Sequence, residues 1–303
     1  MAKVKQQVGK YVDPRTDFGM KFYFGREENK MLLIEFLNSL FAGEKLITDL
    51  RYEPVELDGD YEDTRRVVFD LHCIGEDGEV FIIEMQQLFQ EYFKDRAVYY
   101  TSRLINKQIE KGRYSDSYYL PEVYYIGILD FPFNGKGRSE LSPQIEQQYF
   151  KDVALCNTLT KEVLSERLGF KMISLPMFTK EPTDLKTNMD RWLYLLKHLS
   201  TMDKLPSFLD KGIFRQIFDI GEVGKLKEED LMSYEASIKR KMDNRSTFSS
   251  VARINRAEGK AEGLAEGERK NALEIALKLK KMDFPREDIV KITGLTIEEI
   301  EKL

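Results

Sequence analysis

The chain has 303 residues, 42% hydrophobic and 33% charged, with a net charge of −5. That length accommodates one large domain or two modest ones around a substantial core. The acidic balance argues against broad attraction to nucleic acid, so any such binding needs a local basic surface. The cysteines (Cys73, Cys156) and histidines (His72, His198) argue against a zinc cage, a disulfide framework or a His-activated nucleophile. No phosphate-cradling G-x-x-x-x-G-K loop and no G-x-G-x-x-G fingerprint occurs. Any chemistry rests on carboxylates, amides, Lys, Arg and Tyr.

The N-terminus, MAKVKQQVGK, is polar and lacks the apolar run of a secretory signal. No stretch approaches the ~18 apolar residues of a membrane span. The expectation is a cytoplasmic protein with no membrane partner. Turn chemistry at Asp13-Pro14 precedes a helix over residues 28–41, with Gly43 as its stop. ITDLRYEPVEL, from Ile47, reads as a strand, and DGDYEDTR as a polar connection. Residues 67–87, VVFDLHCIGEDGEVFIIEMQQ, read as two strands of a hairpin. Residues 91–112 have helical periodicity and end in Gly, and residues 122–131 read as a buried strand before a loop, NGKGRSE. The pattern so far is helix, strand, strand, strand, helix, strand, an α/β core.

From about Leu141 the pattern turns mainly helical. DRWLYLLKHL is the clearest helix, CNTLTKEVL and SFLDKGIFRQIFDI are shorter candidates, and FKMISLPMF is a candidate further strand. AEGKAEGLAEGERK then places Gly every fourth residue at 259, 263 and 267. Each Gly costs about 1 kcal/mol against Ala in a helix, so this segment reads as a weak exposed helix or linker. Short C-terminal helices follow, with a capping box at Thr296 and Glu299 after Gly294.

The hairpin raises the chemical question. Residues two apart on a strand share a face, so Glu84 and Gln86 lie together, and Asp70 shares a face with His72. Two carboxylates meeting on one buried face repel unless a cation joins them, and oxygen-only ligands suit Mg²⁺ or Mn²⁺. The same residues also fit a solvated face or carboxylates paired with arginines. A regular two-residue turn at Asp77-Gly78 would set Asp70 opposite Met85, on the wrong face for a shared site. A three-residue loop, Glu76-Asp77-Gly78 with Gly78 left-handed, sets Asp70 opposite Glu84. On the following helix Arg96, Tyr100, Arg103 and Lys107 fall on one stripe. It reads either as a track for a phosphate backbone or as a solvated helix face.

VVFDLHC, VFIIEMQ and DRAVYYTSRL, in this order, resemble the PD-(D/E)XK nucleases. More narrowly, TDFGMKFYFG with LLIEFLNSLF at the front, and the Gly repeat with ITGLTIEEIEKL at the end, are similar to the bacterial recombination-promoting nuclease and transposase family. The resemblance implies a restriction-endonuclease-like α/β core (helix, three-stranded antiparallel meander, helix, strand) with helical additions. It divides the chain into a nuclease core over 1–140, a mainly helical elaboration over 141–245 and a flexible tail over 246–303. It implies a Mg²⁺- or Mn²⁺-dependent DNA endonuclease serving recombination, transposition or defence. Asp70, Glu84 and the Met85 backbone carbonyl would hold the metal, and Gln86 stands where the wider superfamily has a catalytic lysine. Asp17, Arg96 and Tyr100 would be accessory, and Arg103 and Lys107 would bind DNA. The C-terminal tail is a candidate contact between copies of the chain. The alternative is a weak or inactive nuclease-fold module that binds DNA or protein.

Overall fold

Strand β5 (Val80–Gln86) is buried along its whole length, so it lies inside a sheet with neighbours on both edges. The computed structural model, which describes residues 9–57, 66–110, 119–133 and 148–303, places it third in a six-stranded sheet. Its antiparallel neighbour is β4 (Leu71–Gly75), itself paired antiparallel with β1 (Leu50–Tyr52). On the other edge β6 (Val123–Leu129) runs parallel to β5. A parallel neighbour needs a crossover, and the helix α3 (Phe93–Glu110) lies in that connection. Beyond β6 come β8 (Val163–Ser174), parallel to it, and β7 (Phe150–Cys156), antiparallel to β8. The mixed α/β architecture agrees with the expectation from sequence.

Alternation along β5 sorts its side chains between two cores. Phe81, Ile83 and Met85 join the core formed with α1 (Asp17–Phe24) and α2 (Lys30–Leu40). Two later helices, Asn188–His198 (α4) and Gly212–Gly221 (α5), close the same core, in which Trp192 is fully buried against Phe24, Phe36 and Phe214. Val80 and Ile82 face the opposite side and pack with Phe93, Ala97 and Leu104 of α3. The first turns of the long helix α6 (Glu228–Lys281) are tied to the segment before α1. There Lys241 Nζ sits 2.8 Å from Asp13 Oδ2, and the Asp13 N–H donates to Tyr234 Oη (2.9 Å).

Several elements differ from the sequence expectations. The strand expected from Ile47 is broken: β1 ends at Tyr52, and β2 (Glu56–Leu57) pairs instead with β3 (Val67–Val68) in a second, two-stranded sheet. Pro54 sits in the break, where it has no N–H to give a ladder. Helix α1 was unexpected. The Thr16 hydroxyl caps it by accepting from Gly19 N–H (2.9 Å), a signal hidden behind the Asp13-Pro14 turn. Within the stretch expected to be mainly helical, β7 and β8 belong to the central sheet, and β8 takes in the first part of the expected strand FKMISLPMF. CNTLTKEVL is their turn rather than a helix. Asn157 Oδ1 accepts from Leu159 N–H (2.9 Å) and Thr160 N–H (3.2 Å), the side-chain capping that draws Asn out of helices and into turns. The expected connection at 58–65 and the expected loop at 134–140 lie outside the described residues.

The chain divides into two units, Met1–Lys241 and Met242–Leu303. In the second, α6 continues through the Gly repeat with exposed side chains. Its own small core joins Ala276 of α6, Ile289 of α7 (Arg286–Thr293), Ile300 of α8 (Ile297–Glu301) and Leu295 from the link between the last two. The Thr296–Glu299 capping box forms, and Gly294 ends α7 in the left-handed region at φ 71°. Among the described residues no helix is long and apolar enough to cross a membrane.

Candidate active site

The turn between β4 and β5 sets the site. Gly75 N–H donates to Glu79 O (2.8 Å), leaving Glu76, Asp77 and Gly78 as a three-residue loop. Gly78 is left-handed at φ 85°, the conformation this loop class assigns to its third residue. The ladder then pairs Ile74 with Val80 and continues to Leu71 with Ile83. One step further, the same register brings Asp70 opposite Glu84, as a shared site requires. Gly78→Val is therefore expected to cost about 1–2 kcal/mol, because a β-branched residue resists positive φ. Urea unfolding would read this as a lower midpoint at unchanged slope.

At Phe69-Asp70 the chain bends out of the ladder, with Phe69 N–H bonded to Val55 O (2.8 Å). This frees the edge of β5 opposite Asp70. The Met85 N–H, left without a strand partner, donates to Asp70 Oδ2 at 2.6 Å. In return Asp70 N–H donates to Glu84 Oε1 at 3.2 Å. Gln86 Nε2 donates to Glu84 Oε2 (3.3 Å), and Arg96 Nη2 lies 3.5 Å from the same oxygen. Glu84 is 3% and Gln86 7% exposed. Arg96 is steadied by Gln90 Oε1 (2.6 Å) and stands over the Tyr100 ring at 5.5 Å, while that ring meets Phe69 edge-on. Arg96 Nε is buried without a hydrogen-bond partner.

Burial and the charge of Asp70 push Glu84 up to about 8, against the pull of Arg96. Asp70 also rises, through burial and the nearby Asp17, although its bond from Met85 opposes the shift. Burial and the closeness of the two carboxyls thus disfavour full ionisation of the pair, with Arg96 pulling the other way.

The structure thus brings together Asp70, Glu84, Gln86, Met85, Arg96 and Tyr100. Asp17 stands at the start of α1, ion-paired with Lys21 (2.9 Å), and both charges act on Asp70. Arg103 is half-buried and Lys107 exposed, further along α3. The charge of Lys107 falls on His72, which burial already holds low. Sequence reasoning missed Lys21, whose signal was its i,i+4 spacing from Asp17. It also missed Gln90, which no pattern marks, and Tyr125, a strand residue whose ring reaches close enough to Glu84 to feel its charge.

A family model described as PD-(D/E)XK nuclease family transposase matches residues 14–250. The chain belongs to this family. Searches of curated proteins and of solved structures found no match. The matched span of this PD-(D/E)XK chain runs from just before α1 into α6, so it contains all six strands of the central sheet and excludes α7 and α8.

PD-(D/E)XK nucleases generally use divalent metal ions. Among the described residues no group of three or more His, Cys, Asp or Glu forms a ready cage. The donor set nevertheless fits a Mg²⁺-like ion, which needs only one or two carboxylates and completes its shell with water and substrate oxygens. Both carboxylates stay raised although Arg96 stands 3.5 Å from Glu84 and its charge, with that of Lys21, also acts on Asp70. The Met85 carbonyl projects toward the same strand edge as its N–H, as both groups of one residue do in an extended strand.

Proposed function

We propose that the protein hydrolyses phosphodiester bonds in DNA with Mg²⁺ or Mn²⁺, in recombination, transposition or defence. The observation that carries this reading is the Asp70–Glu84 pair, in which a partly buried and a buried carboxyl meet at one edge of the central sheet and both are pushed upward. Asp70, Glu84 and the Met85 carbonyl would hold the ion. When bound, such an ion activates water and offsets charge on the phosphoryl group. Gln86 orients water through its amide. Met85 N–H fixes the Asp70 carboxylate, and Tyr100 props Arg96 in place.

Glutamine in the lysine position supplies no charge. A unit charge at about 4 Å is worth roughly 4 kcal/mol at an effective dielectric of 20, about a thousandfold in rate. Arg96 supports compensation: its guanidinium already reaches Glu84. Supercoiled plasmid incubated with and without Mg²⁺ tests the proposal, with nicked or linear DNA expected only with the metal. No cleavage with either metal would favour a nuclease-fold module that only binds.

Arg103 and Lys107 are assigned to the phosphate backbone. Arg103→Ala and Lys107→Ala should each weaken binding equally on all sequences, and each should lower the slope of log affinity against log salt by about 0.9 on duplex DNA. Fluorescence anisotropy at several salt concentrations reads both, and unchanged slopes would make the stripe a solvated face.

A further inference from the structure

Helix α1 and the first turns of α6 line a cleft of about 400 Å³, walled by Asp17, Lys21, Arg26, Ser233, Ser237 and Arg240. Its base holds the stacked rings of Phe18 and Phe22, 5.4 Å apart, with the Arg26 guanidinium 4.6 Å from the Phe22 ring. Two of the three cations are already answered: Arg26 by Asp230 (2.5 and 3.0 Å) and Lys21 by Asp17 (2.9 Å). Arg240 is not. It is exposed and has no ion pair or hydrogen bond among the described residues. Ser237 Oγ accepts from Phe18 N–H (3.2 Å), which leaves its own proton to donate into the cleft. The walls thus carry three cations and one carboxylate, together with hydroxyl donors, on a chain whose net charge is −5.

The cleft lies next to the carboxylates. Gly25, in its lining, is seated so closely on Leu71 that a Cβ there would come within 2.8 Å of Leu71 Cδ2, and Leu71 is the chain neighbour of Asp70. Helices α1 and α3 pack on opposite faces of the sheet. A strand crossing the carboxylates therefore leaves the α3 stripe on one side and meets α1 on the other.

We propose that the α1–α6 cleft binds backbone phosphates of the DNA strand flanking the cleavage position, with Arg240 as the contacting cation. The proposal rests on the nuclease reading for its ligand, and extends the DNA path to a second surface. A polyanion fits because a guanidinium without a partner gains most from a charge-assisted bond to phosphate, and because each neutralised phosphate releases counterions.

The test is duplex-DNA binding by anisotropy without divalent metal, so that it does not depend on cleavage. Arg240→Ala should weaken binding about fivefold near 0.1 M salt and lower the salt slope by about 0.9, and Arg240→Glu should weaken it further. Arg240→Lys should retain most of the affinity, while Lys204→Ala, an exposed cation outside the cleft, should change nothing. Unchanged affinity and slope in Arg240→Glu would overturn the proposal, as would equal losses in Lys204→Ala. A parent protein that binds DNA in this Arg240-dependent way yet never cleaves would leave the cleft standing and remove the nuclease reading.

Discussion

Asp70→Asn and Glu84→Gln should each abolish metal-dependent plasmid cleavage, a loss of at least about a thousandfold. Both replacements keep side-chain shape and an oxygen acceptor, so Met85 N–H and Asp70 N–H retain partners. What each removes is one of two charges available to a cation on that face. Thermal midpoints at or above that of the parent would show that the fold survives. Isothermal titration with Mn²⁺ should show binding lost in both variants. Cleavage at the parent rate in either one would remove that residue from the metal site.

Glu84 should also make the metal-free protein less stable as pH rises. Its folded-state value stands at about 8 against an ordinary 4.5, because burial and Asp70 disfavour the charged form. Between those values the folded state holds a proton that the unfolded state has released, so stability falls through this window. The expected loss between pH 5 and pH 9 is on the order of 2–4 kcal/mol. Asp70 shifts in the same direction and adds to it. Glu84→Gln should flatten the profile and stabilise the metal-free protein at pH 9. Mn²⁺ should restore the parent at high pH, with affinity that strengthens as pH rises toward 8, because the ion displaces the proton. Urea unfolding at pH 5, 7 and 9, with and without Mn²⁺, measures this. Parallel profiles for parent and variant would mean that Glu84 is ionised in the metal-free fold.

Much of the site was legible because a strand has a strict period of two and a short loop has few conformations. The period puts Glu84 and Gln86 on one face, and Asp77-Gly78 restricts the turn to a choice between two loop lengths. The choice itself was open, and the three-residue loop decided whether Asp70 meets Glu84 or Met85. The Arg96–Tyr100 stripe followed from helical spacing, but only packing of α3 on the sheet showed that Arg96 reaches Glu84. The C-terminal capping box was likewise readable, since both partners lie within one turn.

Contacts between distant segments were not readable. FKMISLPMF reads locally as a strand and forms the second half of β8, but β7 and the first half of β8 carry no such signal, and their place in the sheet depends on the pairing of β8 with β6, far away in sequence. The break after β1 shows its meaning only when β3 pairs with β2 and frees the edge of β5 for Asp70. Nor could local pattern place α1 beside Asp70, or set Arg240 across a cleft from Lys21. The sequence by itself determined the strand faces, the helix stripes, the caps and the supply of carboxylates, because these depend on spacing within one element. The tertiary structure decided which faces meet and which carboxylates lose water. Those outcomes depend on long-range pairing and burial, and it is burial that turns two ordinary acids into a site that calls for a cation.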